Sequence, residues 1–196
     1  METRASLIQR VRDKADSSAW GEFFSVYQPL LYAYIRQRGV SGPDADDVVQ
    51  DVFAKLTGAL ARFEYDAERG RFRTWLWRVA HNALADWGRR RVIRDRAEQE
   101  WIDQHPLADG GDSDAQWNEL YRRRILQVAI DRVRATAQPT TWACFEGRIL
   151  ADRPAAEVAA EACVSVNAVY VNASRLLARV REECAAFEES LAGHES

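Results

Sequence analysis

Apolar residues recur every three to four positions over most of this chain, and that helical spacing limits the folds open to it. The stripe from Phe23 to Ile35 and the stripe from Val48 to Leu60 both follow it. No Asn-Gly or similar pair joins two stretches of alternating apolar residues, so no β-hairpin is indicated. With 47% hydrophobic and 29% charged residues, the composition is typical of a folded protein. We therefore predict an all-α fold.

The helical spacing lapses in one irregular stretch after Arg96. This stretch contains Pro106, Gly110, Gly111 and six acidic residues, a composition typical of a linker. A chain of 196 residues has room for one ordinary domain or two small ones. We predict two small helical domains joined by an acidic linker, with a first domain at residues 1–95, the linker at 96–117, a second domain at 118–190 and a tail at 191–196.

Neither a membrane protein nor a secreted one is expected. No apolar run approaches the roughly 20 residues that span a bilayer, and charges interrupt the apolar residues at the start of the sequence. The expected location is cytoplasmic, without membrane insertion. Cys144, Cys163 and Cys184 lie far apart and form no C-x-x-C pair, so neither a disulfide framework nor a zinc site is predicted.

Charge is distributed unevenly along the first domain, although the whole chain has a formal net charge of only −3. Residues 43–68 hold seven acidic residues against Lys55 and Arg62. Residues 69–96 hold nine arginines against Asp86 and Asp95. An acidic block followed directly by a basic one indicates two surfaces for two different partners.

The basic block contains a predicted helix from about Arg73 to Arg91, in which arginines alternate with tryptophans. The helical period assigns Trp87 to the core and places Trp75 and Trp77 beside the buried stripe. Guanidinium groups bind phosphates and exposed rings stack on unpaired bases, so nucleic-acid binding is favoured over a merely solvated helix. The candidate DNA-binding residues here are Phe72, Arg73, Trp75, Trp77, Arg78, His81, Asn82, Arg89, Arg90 and Arg91.

The acidic block contains another predicted helix, whose outer face carries Asp44, Asp47, Asp51 and Lys55. Such a face is compatible with a basic protein partner. A solvated surface is the more common explanation of the same pattern.

Near the end of the chain, two apolar-patterned helices are separated by a short break at residues 162–165, the spacing of a helix-turn-helix. Ser165 is the predicted N-cap of the second helix. That helix would lie in a DNA major groove, although its weak charge also fits a helical hairpin that binds nothing. The candidate DNA-binding residues here are Ser165, Asn167, Ala168, Tyr170, Val171, Asn172, Arg175 and Arg179.

Catalytic chemistry is not indicated by any motif. His81, His105 and His194 form no visible triad or metal-ligand set, and no serine or cysteine lies in a nucleophile motif. We therefore predict that the protein is not an enzyme and that it has no catalytic residue, metal or cofactor.

Taken in order, the segments DDVVQDVF and FRTWLWRVAHNALADWGRRR, the acidic linker and the helix-turn-helix around EVA resemble an extracytoplasmic-function sigma factor of the sigma-70 family. The resemblance covers about residues 20–187. It implies a promoter-specificity subunit of bacterial RNA polymerase, with core polymerase and promoter DNA as partners. It leaves open an anti-sigma factor or other inhibitor as a further partner.

The same resemblance assigns roles to particular residues. It places core polymerase binding on Asp47, Gln50, Asp51 and Phe53, and it implies that the segment from Glu64 to Arg91 melts and reads the minus-ten promoter element. The helix-turn-helix would bind the minus-thirty-five element, and the linker would mimic nucleic acid.

One part of the resemblance is imperfect. The recognition helix begins with Ala168, Val169, Tyr170 and Val171, where the family usually has a lysine or arginine, and Cys163 stands where a glycine is common. The strength and sequence preference of the upstream contact are therefore open. The alternative function is a stand-alone helix-turn-helix transcriptional regulator, which would need only the second domain.

Overall fold

A computed structural model describes residues 7–60, 72–94 and 112–189, with side chains described except at 92–94, 112–114 and 188–189. Within these ranges every regular element is helical, which confirms the all-α prediction. The elements are α1 (Leu7–Arg10), α2 (Ser17–Gln37), α3 (Pro43–Leu60), α4 (Phe72–Arg94), α5 (Asp112–Thr136), α6 (Pro139–Phe145), a π-helical turn (Glu146–Leu150), α7 (Ala155–Glu161) and α8 (Val166–Glu189).

The described chain forms two compact units, one running to Arg124 and the other covering Ile125–Glu188. The change of unit falls within α5, whereas the sequence placed the start of the second domain at residue 118. Trp117 is fully buried in the first unit, so the last residue of the predicted linker belongs to that core. Most of the predicted linker, residues 96–111, lies outside the described residues, and its role stays a prediction.

Local capping explains where α2 begins and ends. The Asp16 carboxylate accepts a hydrogen bond of 2.8 Å from the backbone N–H of Ala19, so the helix starts at Ser17, ahead of the apolar stripe that begins at Phe23. The helix ends before Gly39, whose φ of 79° lies in the left-handed region that glycine adopts without strain. α2 is thus fixed at both ends by residues next to it in sequence.

An aromatic cluster forms the core of the first unit. The Phe23 ring centroid lies 6.3 Å from that of Phe53 on α3 and 6.2 Å from that of Phe72 on α4. Trp117 packs edge-on against Tyr34 at 5.3 Å, and its indole N–H donates to the backbone carbonyl of Arg73 at 3.1 Å. Residues from α2, α3, α4 and α5 therefore share one core, on whose surface the acidic and basic faces lie.

Two buried clusters stabilise the second unit. One joins α5, α6 and α8 through residues that include Val133, Phe145 and Leu176, and the other holds Cys144, Val158 and Val169 together. Because Val169 belongs to the second cluster and Leu176 to the first, one face of α8 is committed to packing. The opposite face of α8 is left to solvent.

Candidate nucleic-acid and protein interfaces

α4 carries the predicted nucleic-acid surface, and most of the predicted residues reach solvent. Arg78, Asn82, Arg89 and Arg90 are exposed, and Trp75, Trp77 and Arg91 are half-buried. Their exposure follows from the helical period, which turns Leu76 and Ala80 into the core.

Phe72 requires a correction, because it was predicted to contact DNA and is fully buried. Its ring lies 5.5 Å from that of Tyr27 and 6.2 Å from that of Phe23. The first residue of α4 is thus an anchor for the helix and presents no surface to DNA.

His81 and Trp77 form a polar and aromatic cluster on α4. The two rings lie 5.1 Å apart and are inclined by 31°. Nδ1 of His81 lies 3.3 Å from the Tyr34 hydroxyl. Burial, with a contribution from the nearby positive charge of Arg38, holds the pKa of His81 below its usual range. His81 therefore has a neutral imidazole at neutral pH and adds no cation to this surface.

The acidic face of α3 and the basic end of α4 are joined by ion pairs. Arg90 donates to Asp51 at 2.5 Å, and Arg91 donates to Asp44 at 3.1 Å. The bond from Asp51 raises the pKa of Arg90. The charge pattern of the sequence indicated an acidic surface and a basic surface for two different binding partners. In the structure, each of these two arginines forms an ion pair with a carboxylate of the acidic surface.

Asp86 of α4 extends this network. It accepts hydrogen bonds from Lys55 at 2.7 Å and from Arg89 at 2.6 Å, and these bonds lower its pKa. The charges lie on exposed or half-exposed side chains, so each pair stabilises the fold only slightly. Their main effect is to decide which charged groups remain available to a partner.

An open groove of about 360 Å³ lies between α3 and α4. We refer to it as the α3–α4 groove. It is lined by Asp44, Asp47, Gln50, Asp51, Trp87, Arg90 and Arg91. Three of the four residues predicted to bind polymerase are among them. Trp87, which the helical period assigned to the core alone, also lines this groove. Trp87 is indeed buried, but the Arg91 guanidinium lies 5.2 Å from its ring.

Phe53 is the fourth residue that the resemblance assigns to polymerase binding, and that role stays a prediction. Phe53 is only 6% exposed, and its ring centroid lies 4.3 Å from that of Phe24. A position matched through a sequence motif says nothing about burial, and the stripe of α3 turns this side chain inward. Phe53 supports the face formed by Asp47, Gln50 and Asp51 from within.

The second unit contains the predicted helix-turn-helix, formed by α7 and α8. The Ser165 hydroxyl accepts a hydrogen bond of 3.1 Å from the backbone N–H of Ala168, which confirms Ser165 as the N-cap. Cys163 in the turn has a φ of 52°, a left-handed conformation that explains why a glycine is favoured at such a position.

The predicted DNA-binding residues of α8 differ in their exposure to solvent. Asn167, Tyr170, Val171 and Arg175 are exposed, and Ala168 is half-buried. Asn172 and Arg179 are half-buried. The Asn172 amide lies 3.8 Å from Sγ of Cys144, and Arg179 donates to the Thr136 hydroxyl at 2.7 Å. Asn172 is thus half-buried with its amide near Cys144, and its role in reading bases stays a prediction.

Residues 23–93 match the family model of sigma-70 region 2. This range contains α3, nearly all of α4 and the part of α2 from Phe23 onward, and these segments form the α3–α4 groove and much of the aromatic core beneath it. This segment of the chain is similar to sigma-70 region 2. The resemblance to extracytoplasmic-function sigma factors that the sequence indicated is thereby confirmed.

Two curated proteins are similar to this chain over part of their length. The RNA polymerase sigma factor NccH of Alcaligenes xylosoxydans xylosoxydans is 35% identical over 87 residues, which cover 44% of this chain and 45% of NccH. The RNA polymerase sigma factor CnrH of Cupriavidus metallidurans is 36% identical over 76 residues, which cover 39% of this chain and 38% of CnrH. The chain thus spans less than half the length of the curated relatives it matches.

A solved structure of CnrH in complex with the cytosolic domain of CnrY also matches this chain. The match covers 92% of this chain and 96% of the other, with 20% sequence identity and a TM-score of 0.35.

Among the helices that the structure describes, none is long and apolar enough to cross a membrane.

Proposed function

We propose that this chain is an RNA polymerase sigma factor that binds core polymerase and directs promoter-specific initiation by recognising and melting promoter DNA. The observation that carries the proposal is the sigma-70 region 2 match over residues 23–93. Those residues also include the acidic face of α3 and the basic end of α4, which line the α3–α4 groove and would serve as the partner surface and the nucleic-acid surface.

The polymerase side of the proposal rests on the outer face of α3. Asp47 and Gln50 are exposed and Asp51 is half-buried, all on the wall of the α3–α4 groove. A basic surface on core polymerase would pair with these carboxylates. Long-range attraction between the two surfaces would also speed their encounter.

The DNA side rests on α4. Arg78 and Arg89 would hold the phosphate backbone of a separated strand, and Asn82 has an amide that can contact a base edge. Trp75 and Trp77 present partly exposed rings on which an unpaired base can stack. Melting and capture are linked in this arrangement, because stacking is open only to bases that have left the duplex. Residues 61–71, which include most of the loop assigned to the same task, lie outside the described residues.

The second unit would bind the upstream promoter element through α8. Its exposed residues include only a few cations, so the contact is expected to be weak when this unit acts alone. Core polymerase would hold both DNA-reading surfaces at the spacing of a promoter. The free chain is therefore expected to bind duplex DNA poorly. An inhibitor that covers the α3–α4 groove would be a further partner, and the place of action would be the cytoplasm.

The decisive test is co-elution with bacterial core polymerase on a sizing column. The variant Asp47→Arg, Gln50→Arg reverses the charge of the exposed groove wall and leaves the bond between Asp51 and Arg90 in place. We expect stoichiometric complex with the wild type and loss of the complex with this variant. Asp131→Arg on α5 is the matched control, since it replaces an exposed acid of the second unit by the same cation.

The opposite result would redirect the assignment. A well-folded wild-type chain that fails to join core polymerase, tested without any inhibitor, would overturn the sigma-factor function. Tight and specific duplex binding by that same free chain would favour the stand-alone helix-turn-helix regulator.

A further inference from the structure

The start of α8 exposes large apolar side chains that contribute nothing to the core of its unit. Val166, Tyr170 and Val171 are 44%, 50% and 47% exposed. Two of these residues, Tyr170 and Val171, stand where the sigma-70 family usually has a basic recognition residue. A surface built for phosphate or guanine would carry cations at these positions, so a different chemistry must explain them.

Helical geometry places Val171 near the centre of the outward face. Counting 3.6 residues per turn from the buried residues Val169, Ala173 and Leu176, the opposite direction passes through Val171. From Val166 to Ala178, the other side chains along this line are uncharged and exposed, namely Asn167, Ser174 and Ala178, and the exposed Glu182 follows one turn later. The strip that would enter a groove most deeply therefore offers a branched apolar group, an amide, a hydroxyl and a methyl group.

Cations lie beside this strip. Arg175 and Arg181 are exposed on either side of it. Phosphates line the two edges of the major groove, whereas base edges form its floor. The arrangement of α8 fits that geometry, with arginines positioned for the edges and the uncharged strip positioned for the floor.

The floor of the major groove has one strongly apolar feature, the 5-methyl group of thymine. We propose that Val171, flanked by Tyr170, reads thymine methyl groups in the upstream promoter element. The inference rests on the proposed function and deepens it by naming the base chemistry that α8 selects. It also gives a reason for the missing basic residue, because a buried guanidinium beside a thymine methyl group would lose its hydration without gaining an acceptor.

The test uses holoenzyme assembled from the full chain and core polymerase. Promoters are first selected from DNA randomised in the upstream element. Each thymine of the selected element is then replaced by uracil, which keeps the base pair and removes only the methyl group. We expect at least one position at which uracil weakens holoenzyme binding about fourfold, the effect of one lost methyl contact.

A matched pair of variants assigns the effect to Val171. Val171→Ala should bind the thymine and uracil promoters equally well. Val166→Ala should keep the preference for thymine, because Val166 is equally exposed on the same helix but points about 140° away from Val171. Arg175→Gln should weaken binding to both promoters by the same factor, as expected for a phosphate contact.

The outcomes separate this inference from the proposed function. Holoenzyme that initiates at selected promoters but binds uracil as well as thymine at every upstream position would overturn the thymine reading alone. An unchanged thymine preference in Val171→Ala would do the same. Failure of the folded chain to form holoenzyme would reject the proposed function, and the thymine reading with it.

Discussion

Arg90 of α4 donates a 2.5 Å hydrogen bond to Asp51 of α3, and so joins a predicted DNA contact to a predicted polymerase contact. Arg91 and Asp44 repeat the arrangement at 3.1 Å. In this structure the guanidinium groups at the basic end of α4 are thus engaged by carboxylates of the same unit. A phosphate backbone would have to compete with those carboxylates.

Replacing Asp51 by asparagine should therefore increase the affinity of the free chain for single-stranded DNA. The substitution removes the ionic partner of Arg90, and each additional phosphate contact steepens the dependence of log affinity on log salt by about 0.7. Fluorescence anisotropy of a labelled strand across a series of salt concentrations measures both quantities. Asp47→Asn removes the same charge from the same groove but leaves the bond from Arg90 intact.

Comparing Asp51→Asn with Asp47→Asn shows whether release of Arg90 is what raises the affinity for single-stranded DNA. An equal gain in Asp47→Asn would mean that general electrostatics, and not release of Arg90, raises the affinity. In the double variant Asp51→Asn, Arg90→Gln, the steeper salt dependence should disappear.

Removing the indole of Trp117 should destabilise the first unit strongly. Trp117→Ala leaves a cavity beside Tyr34 and removes the hydrogen bond to the Arg73 carbonyl, and substitutions of this kind cost about 3–5 kcal/mol. Urea denaturation measures the loss. Leu126→Ala on the same helix is the control, because Leu126 is 47% exposed and its loss should change stability by less than about 0.5 kcal/mol. Similar costs for both variants would contradict the burial of Trp117.

Adding a methyl group at Gly147 should destabilise the second unit. A Cβ at this position would lie 2.7 Å from Cγ2 of Val158, a buried and stiff side chain, so Gly147→Ala should cost about 1–3 kcal/mol. Thermal unfolding measures the change. Gly58→Ala on α3 meets no atom within 4 Å and should instead stabilise the protein by about 0.5–1 kcal/mol.

Relief of the close contact is the second check on Gly147. Replacing Val158 by alanine in the Gly147→Ala background should cost less than the same replacement in the wild type. Equal costs would show that the new methyl group does not press on Val158.

Protonation of His81 should reduce stability in mild acid. Its pKa is lowered in the folded state by burial and by Arg38, while the unfolded imidazole titrates near its usual value of about 6.5. The unfolded state therefore binds the proton first, and the stabilising contribution present above about pH 6.5 is lost as the pH falls toward the folded-state pKa. Urea denaturation at pH 7.5 and pH 5.5 should show a smaller difference in His81→Gln than in the wild type. The same difference in both proteins would assign the loss to other groups.

Local periodicity predicted the parts of this structure that depend on neighbours in sequence. Val48 and Leu76 are buried where their stripes place them, and Ser165 caps α8 as expected from its position. These features arise within one or two helical turns, so one segment contains all the information they need.

Contacts between residues far apart in sequence could not be predicted from local periodicity. Asp51 and Arg90 are 39 positions apart, and opposite charges in two blocks could equally have served two partners. The family motif matched Phe53 and Phe72 without revealing that both rings pack against Phe23. Asn172 was expected to face DNA, but α8 turns it toward Cys144, a residue 28 positions earlier. In each case the decisive partner comes from another helix.

The ion pairs between α3 and α4 also bear on how the chain moves through a bacterial cell. A genome offers millions of nonspecific sites, and a protein with an uncovered basic surface spends most of its time on them. Under the proposed function, arginines paired with Asp44 and Asp51 would shorten such visits. The free chain would then diffuse in search of polymerase, and scanning of the genome would begin only after the two have met.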